Sequence, residues 1–133
     1  MHFVDAKSIL SAKNGMNIYR GCTHGCIYCD SRSDCYNMRH DFEDVEVKRN
    51  APELLEKALA SKRRLCMIGT GAMSDPYMHC EEKLRLTRRC LEVIDRHGFG
   101  VTVLTKSDMI LRDADLLCSI NSKAKAVVQM LSL

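Results

Sequence analysis

Three cysteines, Cys22, Cys26 and Cys29, form a C-x3-C-x2-C run inside RGCTHGCIYCDSR, residues 20–32. Thiolates bind soft and borderline metals. Structural zinc sites and closed [4Fe-4S] clusters take four protein ligands, so a run of three leaves one position open. A [4Fe-4S] cluster held by three cysteines keeps one iron available to a substrate or cofactor, instead of only passing electrons. Gly21 and Gly25 permit the tight turns that would aim several sulfurs at one point. Other readings stay open at this stage. Cys35 offers a fourth thiolate for zinc or a closed cluster, at a longer separation from Cys29 than a zinc knuckle uses. His24 offers an imidazole, although a lone loop histidine is ordinarily solvated. Cys66, Cys90 and Cys118 fall at apolar periodic positions and read as small core residues.

These residues sit in a chain of 133 residues, a length that suits one domain. It is 46% hydrophobic but only 5% aromatic, with no Trp, so aliphatic side chains must build the core. Twenty Lys and Arg against 17 Asp and Glu give +3, which neither demands nor excludes nucleic acid. Eight cysteines would suggest a disulfide framework in a secreted chain. The opening MHFVDAKSIL lacks an apolar core of signal-peptide length, and no run approaches the roughly 18 to 20 apolar residues of a membrane span. A reducing, cytoplasmic setting without membrane attachment is expected. There, clustered cysteines more often hold metal or do chemistry than form bridges.

The elements that must position the cysteines follow from periodicity. GMNIYRG, just before the cysteine run, reads as the first strand. The long charged segment 30–50 matches no element. NAPELLEKALA reads as a helix, with Asn50 as N-cap, Pro52 in the first turn, Glu53 three residues after the cap, and Leu54, Leu55, Ala58 and Leu59 on one face. RLCMIG is a short buried strand. EEKLRLTRRCLEVIDRHG is a helix with Leu84, Leu91 and Ile94 on one face and Cys90, Val93 and His97 beside them, stopped by Gly98. GVTVLT is a β-branched strand, SDMILRDADLL a helix capped by Ser107, and KAVVQMLSL a further strand. Strand alternating with helix implies parallel strands. The expected fold is α/β, a partial (β/α) barrel of about four parallel strands and three helices. The cysteine loop would lie at the C-terminal strand ends, where ligands collect.

With these elements in place, Cys22-x3-Cys26-x2-Cys29, with Tyr28 before the last cysteine, resembles the signature of the radical S-adenosylmethionine (SAM) superfamily. GTGAMSDPY, residues 69–77, and LTKSDMILRDADLL, residues 104–117, are similar to the spore photoproduct lyase-like branch, across nearly the whole chain. The resemblance implies that the three cysteines hold a [4Fe-4S] cluster whose fourth iron is chelated by SAM. It implies reductive cleavage of SAM to a 5′-deoxyadenosyl radical that takes hydrogen from a substrate, and a flavodoxin- or ferredoxin-like reductant as partner. It matches Tyr28 to an aromatic near the adenine, and Ser74 and Lys106 to residues that contact SAM. A hydroxyl and an ammonium suit ribose oxygens or a carboxylate. Asp75 could accept from the SAM amine, but Ser-Asp-Pro is also a turn sequence.

Two departures from that branch stand out. Ala72 occupies the position of the branch's hydrogen-donor cysteine and cannot donate a hydrogen atom, which counts against repair of the spore thymine lesion. The branch also continues through further barrel units. Residues 1–133 therefore read as the N-terminal part of a radical SAM core, expected to self-associate through uncovered strand edges. The alternative function is a non-catalytic iron–sulfur or zinc module. A third reading, nucleic-acid binding through Lys62, Arg63 and Arg64 or Arg85, Arg88 and Arg89, rests on runs that are ordinarily solvated helix faces.

Overall fold

The structure, a computed structural model, describes residues 2–20, 45–71 and 74–130. Two sheets organise them. The larger one is parallel throughout and has the strand order β2 (Gly15–Met16), β5 (Met67–Thr70), β6 (Gly100–Thr105), β7 (Ala126–Met130). The smaller one has the order β1 (His2–Val4), β4 (Glu46–Lys48), β3 (Tyr19–Arg20), with β1 parallel and β3 antiparallel to β4. The mixed α/β expectation and its parallel four-stranded sheet are present. Among the described residues that sheet is open, with β2 and β7 at its edges.

Successive strands of the larger sheet are joined through helices, as parallel pairing requires. Helix α1 (Ala51–Ser61) precedes β5, the pair α2 (Glu81–Leu84) and α3 (Leu86–His97) links β5 to β6, and α4 (Ala114–Lys123) leads into β7. Helix α1 packs on α3, and α3 packs on α4. The core between helices and sheet holds Leu55, Leu59, Ile68, Leu91, Ile94, Val101, Val103 and Ile120. Leu91, Ile94, Cys90 and Val93 are buried as the periodicity required, and Gly98 ends α3 at φ 73°.

Four expectations change. GMNIYRG is not one strand. Gly15–Met16 joins the large sheet and Tyr19–Arg20 the small one. Met16, Ile18 and Tyr19 are all buried, and the chain leaves the large sheet after Met16 and enters the small one at Tyr19. The expected helix over residues 81–98 is two helices, because Arg85 takes a left-handed conformation, φ 54° and ψ 30°, which interrupts the helix between them. The helix expected over residues 107–117 begins as a 3-10 helix (Asp108–Asp113), with Ser107 capping it by accepting from the Met109 N–H at 3.1 Å, before α4 starts. Asn50 precedes α1 but does not cap it with its side chain. Its amide instead accepts from the Ala6 N–H and donates to the Ala6 carbonyl, both at 2.9 Å, which fastens the N-terminal segment to the start of α1.

The cysteines divide as well. Cys90 is buried and its thiol is pushed up by that burial, which makes it an inert core residue. Cys66 is partly buried against the core, whereas Cys118 is exposed on α4, contrary to the expectation of a core position. The periodic pattern of α4 placed Cys118 at an apolar position, but only Ile120 of that helix is fully covered.

Candidate cofactor site at the strand ends

Because β2, β5, β6 and β7 run parallel, the loops that follow them emerge at one end of the sheet. Ser74 follows β5, Lys106 follows β6, and the cysteine run comes directly after β3 in sequence. Cys22, Cys26, Cys29 and Tyr28 lie outside the described residues, as do His24, Cys35 and Ala72. Ser74 and Lys106 lie within them.

One carboxylate builds this end of the molecule. Asp75 Oδ1 accepts from the Tyr77 N–H at 2.8 Å, which is the Asx turn that Ser-Asp-Pro suggested. The same oxygen accepts from the Thr105 hydroxyl at 2.6 Å, and Oδ2 accepts from the Lys106 N–H at 2.9 Å. Asp75 thus ties the loop after β5 to the end of β6 and brings Ser74 and Lys106 to one place. Thr105 continues the tie by accepting from the Ser107 N–H at 3.0 Å. The Lys106 side chain is exposed. A cavity of about 560 Å³ opens beside it, lined also by Tyr77, His79, Asp108, Met109 and Met130. A larger one of about 710 Å³ lies among Pro52, Glu56, Arg89, Asp95 and Leu116 of the helices.

Ser74 has a contact that sequence reasoning did not foresee. Its hydroxyl donates to the Tyr19 carbonyl. The residue matched to a SAM contact therefore also holds the backbone three positions before Cys22. Close packing continues at Gly71, where φ is +106° and a Cβ would overlap the Leu104 carbonyl. Gly71→Ala is expected to cost about 2–3 kcal/mol of stability, read as a lower urea midpoint with an unchanged slope.

Beneath the strand ends lies a buried polar network. Glu81, at the start of α2, is fully covered. One of its oxygens accepts from the Tyr19 hydroxyl and from the Thr87 N–H at 2.8 Å, and the other accepts from Arg112 Nη2 at 2.6 Å. Asp113, equally buried, accepts from Arg112 Nε at 3.0 Å, Arg88 Nη1 at 2.9 Å and the Tyr77 hydroxyl at 2.8 Å. Burial would raise its pKa, but the hydrogen bonds from Arg112, Arg88 and Tyr77 outweigh that and hold it below the usual carboxylate value. Burial and the neighbouring carboxylates push the phenols of Tyr19 and Tyr77 upward, so both remain donors. Arg88 is engaged by Asp113 and Asp115, and does not stand as a solvated member of a basic run. No spacing in the sequence links Glu81 to Tyr19, 62 residues away, or to Arg112, 31 residues away. The only local hint was an acid in the first turn of a helix.

Among the described residues, no group of three or more His, Cys, Asp or Glu side chains is arranged to hold a metal ion. Among the same residues, no helix is long and apolar enough to cross a membrane.

Comparison with known proteins bears on the site. The profile of the radical SAM superfamily matches residues 16–127, from β2 to β7. An uncharacterized protein of Methanocaldococcus jannaschii is 36% identical over 121 residues, which cover 90% of this chain and 45% of that protein. Uncharacterized proteins of Mycobacterium bovis and Mycobacterium tuberculosis are each 31% identical over 110 residues, covering 77% of this chain and 32% of theirs. The chain thus spans less than half the length of these curated relatives. No solved structure matches it.

Proposed function

This chain belongs to the radical SAM superfamily, and from that premise we propose that Cys22, Cys26 and Cys29 hold a [4Fe-4S] cluster while Ser74 and Lys106 contact SAM. The observation that carries the proposal is the Asp75 tie, which gathers the loops after β5 and β6 at one end of the parallel sheet, together with the Ser74 hydroxyl that donates to the Tyr19 carbonyl three positions before Cys22. Membership generally implies these two cofactors, and the donor chemistry fits them. Three thiolates suit iron and leave one iron for a chelating ligand. The exposed Lys106 ammonium beside a cavity suits a carboxylate. Tyr28, next to Cys29 in sequence, would lie against the adenine.

When bound and reduced, the cluster supplies the electron that cleaves SAM and so provides for hydrogen abstraction from a substrate. The chain's own residues bind and orient. Asp75 accepts from Tyr77, Thr105 and Lys106, so its role in this reading is to build the site. Ser74 donates its proton to the Tyr19 carbonyl, so toward SAM its oxygen would accept, from a ribose hydroxyl or the amine, and would not serve the carboxylate.

In this reading residues 1–133 are the N-terminal part of a radical SAM core of the spore photoproduct lyase-like branch. Its substrate is other than the spore lesion, and a small flavodoxin- or ferredoxin-like protein is the electron donor. Among the described residues β7 is an edge strand, with Val128 and Met130 exposed, which favours self-association or addition of further strands.

The test is anaerobic reconstitution followed by iron and sulfide analysis, then dithionite reduction with SAM and assay for 5′-deoxyadenosine. About four irons per chain are expected, with slow, uncoupled formation of 5′-deoxyadenosine. A metal-loaded chain that leaves SAM intact would instead be the non-catalytic iron–sulfur or zinc module. Lys106→Ala is expected to weaken SAM binding by about 1–3 kcal/mol with cluster content unchanged. Equal affinities at equal iron loading would make Lys106 a surface lysine.

A further inference from the structure

We infer that Tyr19 and Glu81 are positioning residues that fix the start of the cysteine run relative to the Lys106 loop. The inference rests on the cofactor reading above.

Tyr19 is three positions before Cys22 and only 1% exposed. It is held in three independent ways. Its hydroxyl donates to Glu81, its carbonyl accepts from Ser74, and its backbone pairs with Val47 of β4. The next residue, Arg20, pairs with Glu46, so the chain entering segment 21–44 and the chain leaving it lie side by side. Strand β1 pairs with the far edge of β4 and braces this base, and the paired hydrogen bonds from Arg49 to Asp5 at 2.8 and 2.7 Å fasten it.

Glu81 is the point where this base meets the rest of the site. It receives Arg112, from the 3-10 helix that begins two residues after Lys106, and the backbone of Thr87 at the start of α3. Arg112 also donates to the Glu81 carbonyl at 3.2 Å, so both ends of this residue are gripped. A carboxylate buried with no exposure and surrounded by donors from three elements is more than packing needs. It connects the chain just before the thiolates to the 3-10 helix that follows Lys106. Loss of groups that hold metal ligands in place typically lowers metal affinity about ten-fold or more, and Tyr19 would act in that way through the backbone that leads into Cys22.

The test compares reconstituted wild type with Tyr19→Phe, which deletes one hydroxyl and leaves Glu81 its Arg112 and Thr87 partners. Ile120→Val, a buried α4 residue remote from the strand ends, serves as a control of similar stability loss. Three quantities are read: thermal melting, the rate of iron loss to a chelator, and the SAM-induced change in the electron paramagnetic resonance spectrum of the reduced cluster. Tyr19→Phe should fold and yet lose iron about ten-fold faster, with SAM binding weakened about ten-fold. Its SAM-induced spectral change should be reduced, and Ile120→Val should match wild type in iron loss and spectrum. Glu81→Gln, where it folds, should show the same pattern as Tyr19→Phe. If Tyr19→Phe keeps wild-type iron retention and spectrum, Tyr19 and Glu81 serve stability alone and the inference falls. If Ile120→Val loses iron equally fast, the effect is general destabilisation and it falls again. A wild type that takes up no cluster would overturn the cofactor reading itself, and this inference with it.

Discussion

Single replacement of Cys22, Cys26 or Cys29 by alanine is expected to abolish the brown colour of the anaerobically reconstituted protein and bring iron from about four per chain to near zero. Each thiolate supplies one of only three protein bonds to the cluster in the proposed site, so no spare ligand covers a loss. Cys35→Ala should retain colour and iron, because Cys35 stands outside the C-x3-C-x2-C spacing. The comparison separates two chemistries. Retention in Cys35→Ala together with loss in the other three supports an open iron. Loss in all four means a closed four-ligand site, electron transfer or zinc in place of SAM cleavage. Cys90→Ser gives a further control: its thiol is buried in the α3 core, so replacement should lower stability without changing iron stoichiometry.

Asp113→Ala should lower stability by about 3–5 kcal/mol, the usual cost of removing one partner from a buried ion pair. The carboxylate has no exposure and is the common acceptor for Arg88, Arg112 and Tyr77. Without it, two guanidinium groups face each other with a buried phenol left unpaired. For a chain of this size such a loss lowers Tm by about 10 °C or more, measurable by calorimetry or by the urea midpoint. A pH dependence accompanies it. The folded pKa of Asp113 lies below its unfolded value. Its contribution is therefore fully present above the ordinary carboxylate value and is lost as pH falls through the lower, folded one. Wild-type stability should drop on acidification below about pH 4, and Asp113→Asn should be less stable at neutral pH with a flatter acid limb. An Asp113→Ala protein as stable as wild type would mean that the network contributes nothing net.

The alternation of strand and helix was legible in the sequence because hydrophobic periodicity is local. RLCMIG, GVTVLT and KAVVQM carry their apolar side chains in short runs, and each becomes a strand of the parallel sheet. The Asx turn at Asp75 and the Ser107 cap were legible for the same reason, since each depends on a side chain reaching backbone two residues away. The cysteine spacing is likewise a property of one short segment. It points to three thiolates without naming what they turn toward.

What the sequence could not show depends on residues far apart in the chain. The break at Asn17–Ile18 arises because both Ile18 and Tyr19 find cover, which only the two sheets together provide. Arg85 is left-handed and divides α2 from α3, and Arg is not a residue that announces such a turn. Asn50 looked like a cap, but Ala6 took its amide, since a partner brought close by folding outcompetes a local one when it satisfies both ends of the side chain. Nothing local in the sequence marks Glu81 or Asp113 as buried. They are interior, because donors from five residues, Tyr19, Tyr77, Thr87, Arg88 and Arg112, converge on them once the strands are aligned. The sequence by itself determined the local elements and the thiolate set. The tertiary structure decided which charges are buried, because burying a carboxylate is favourable only where donors from several elements meet it.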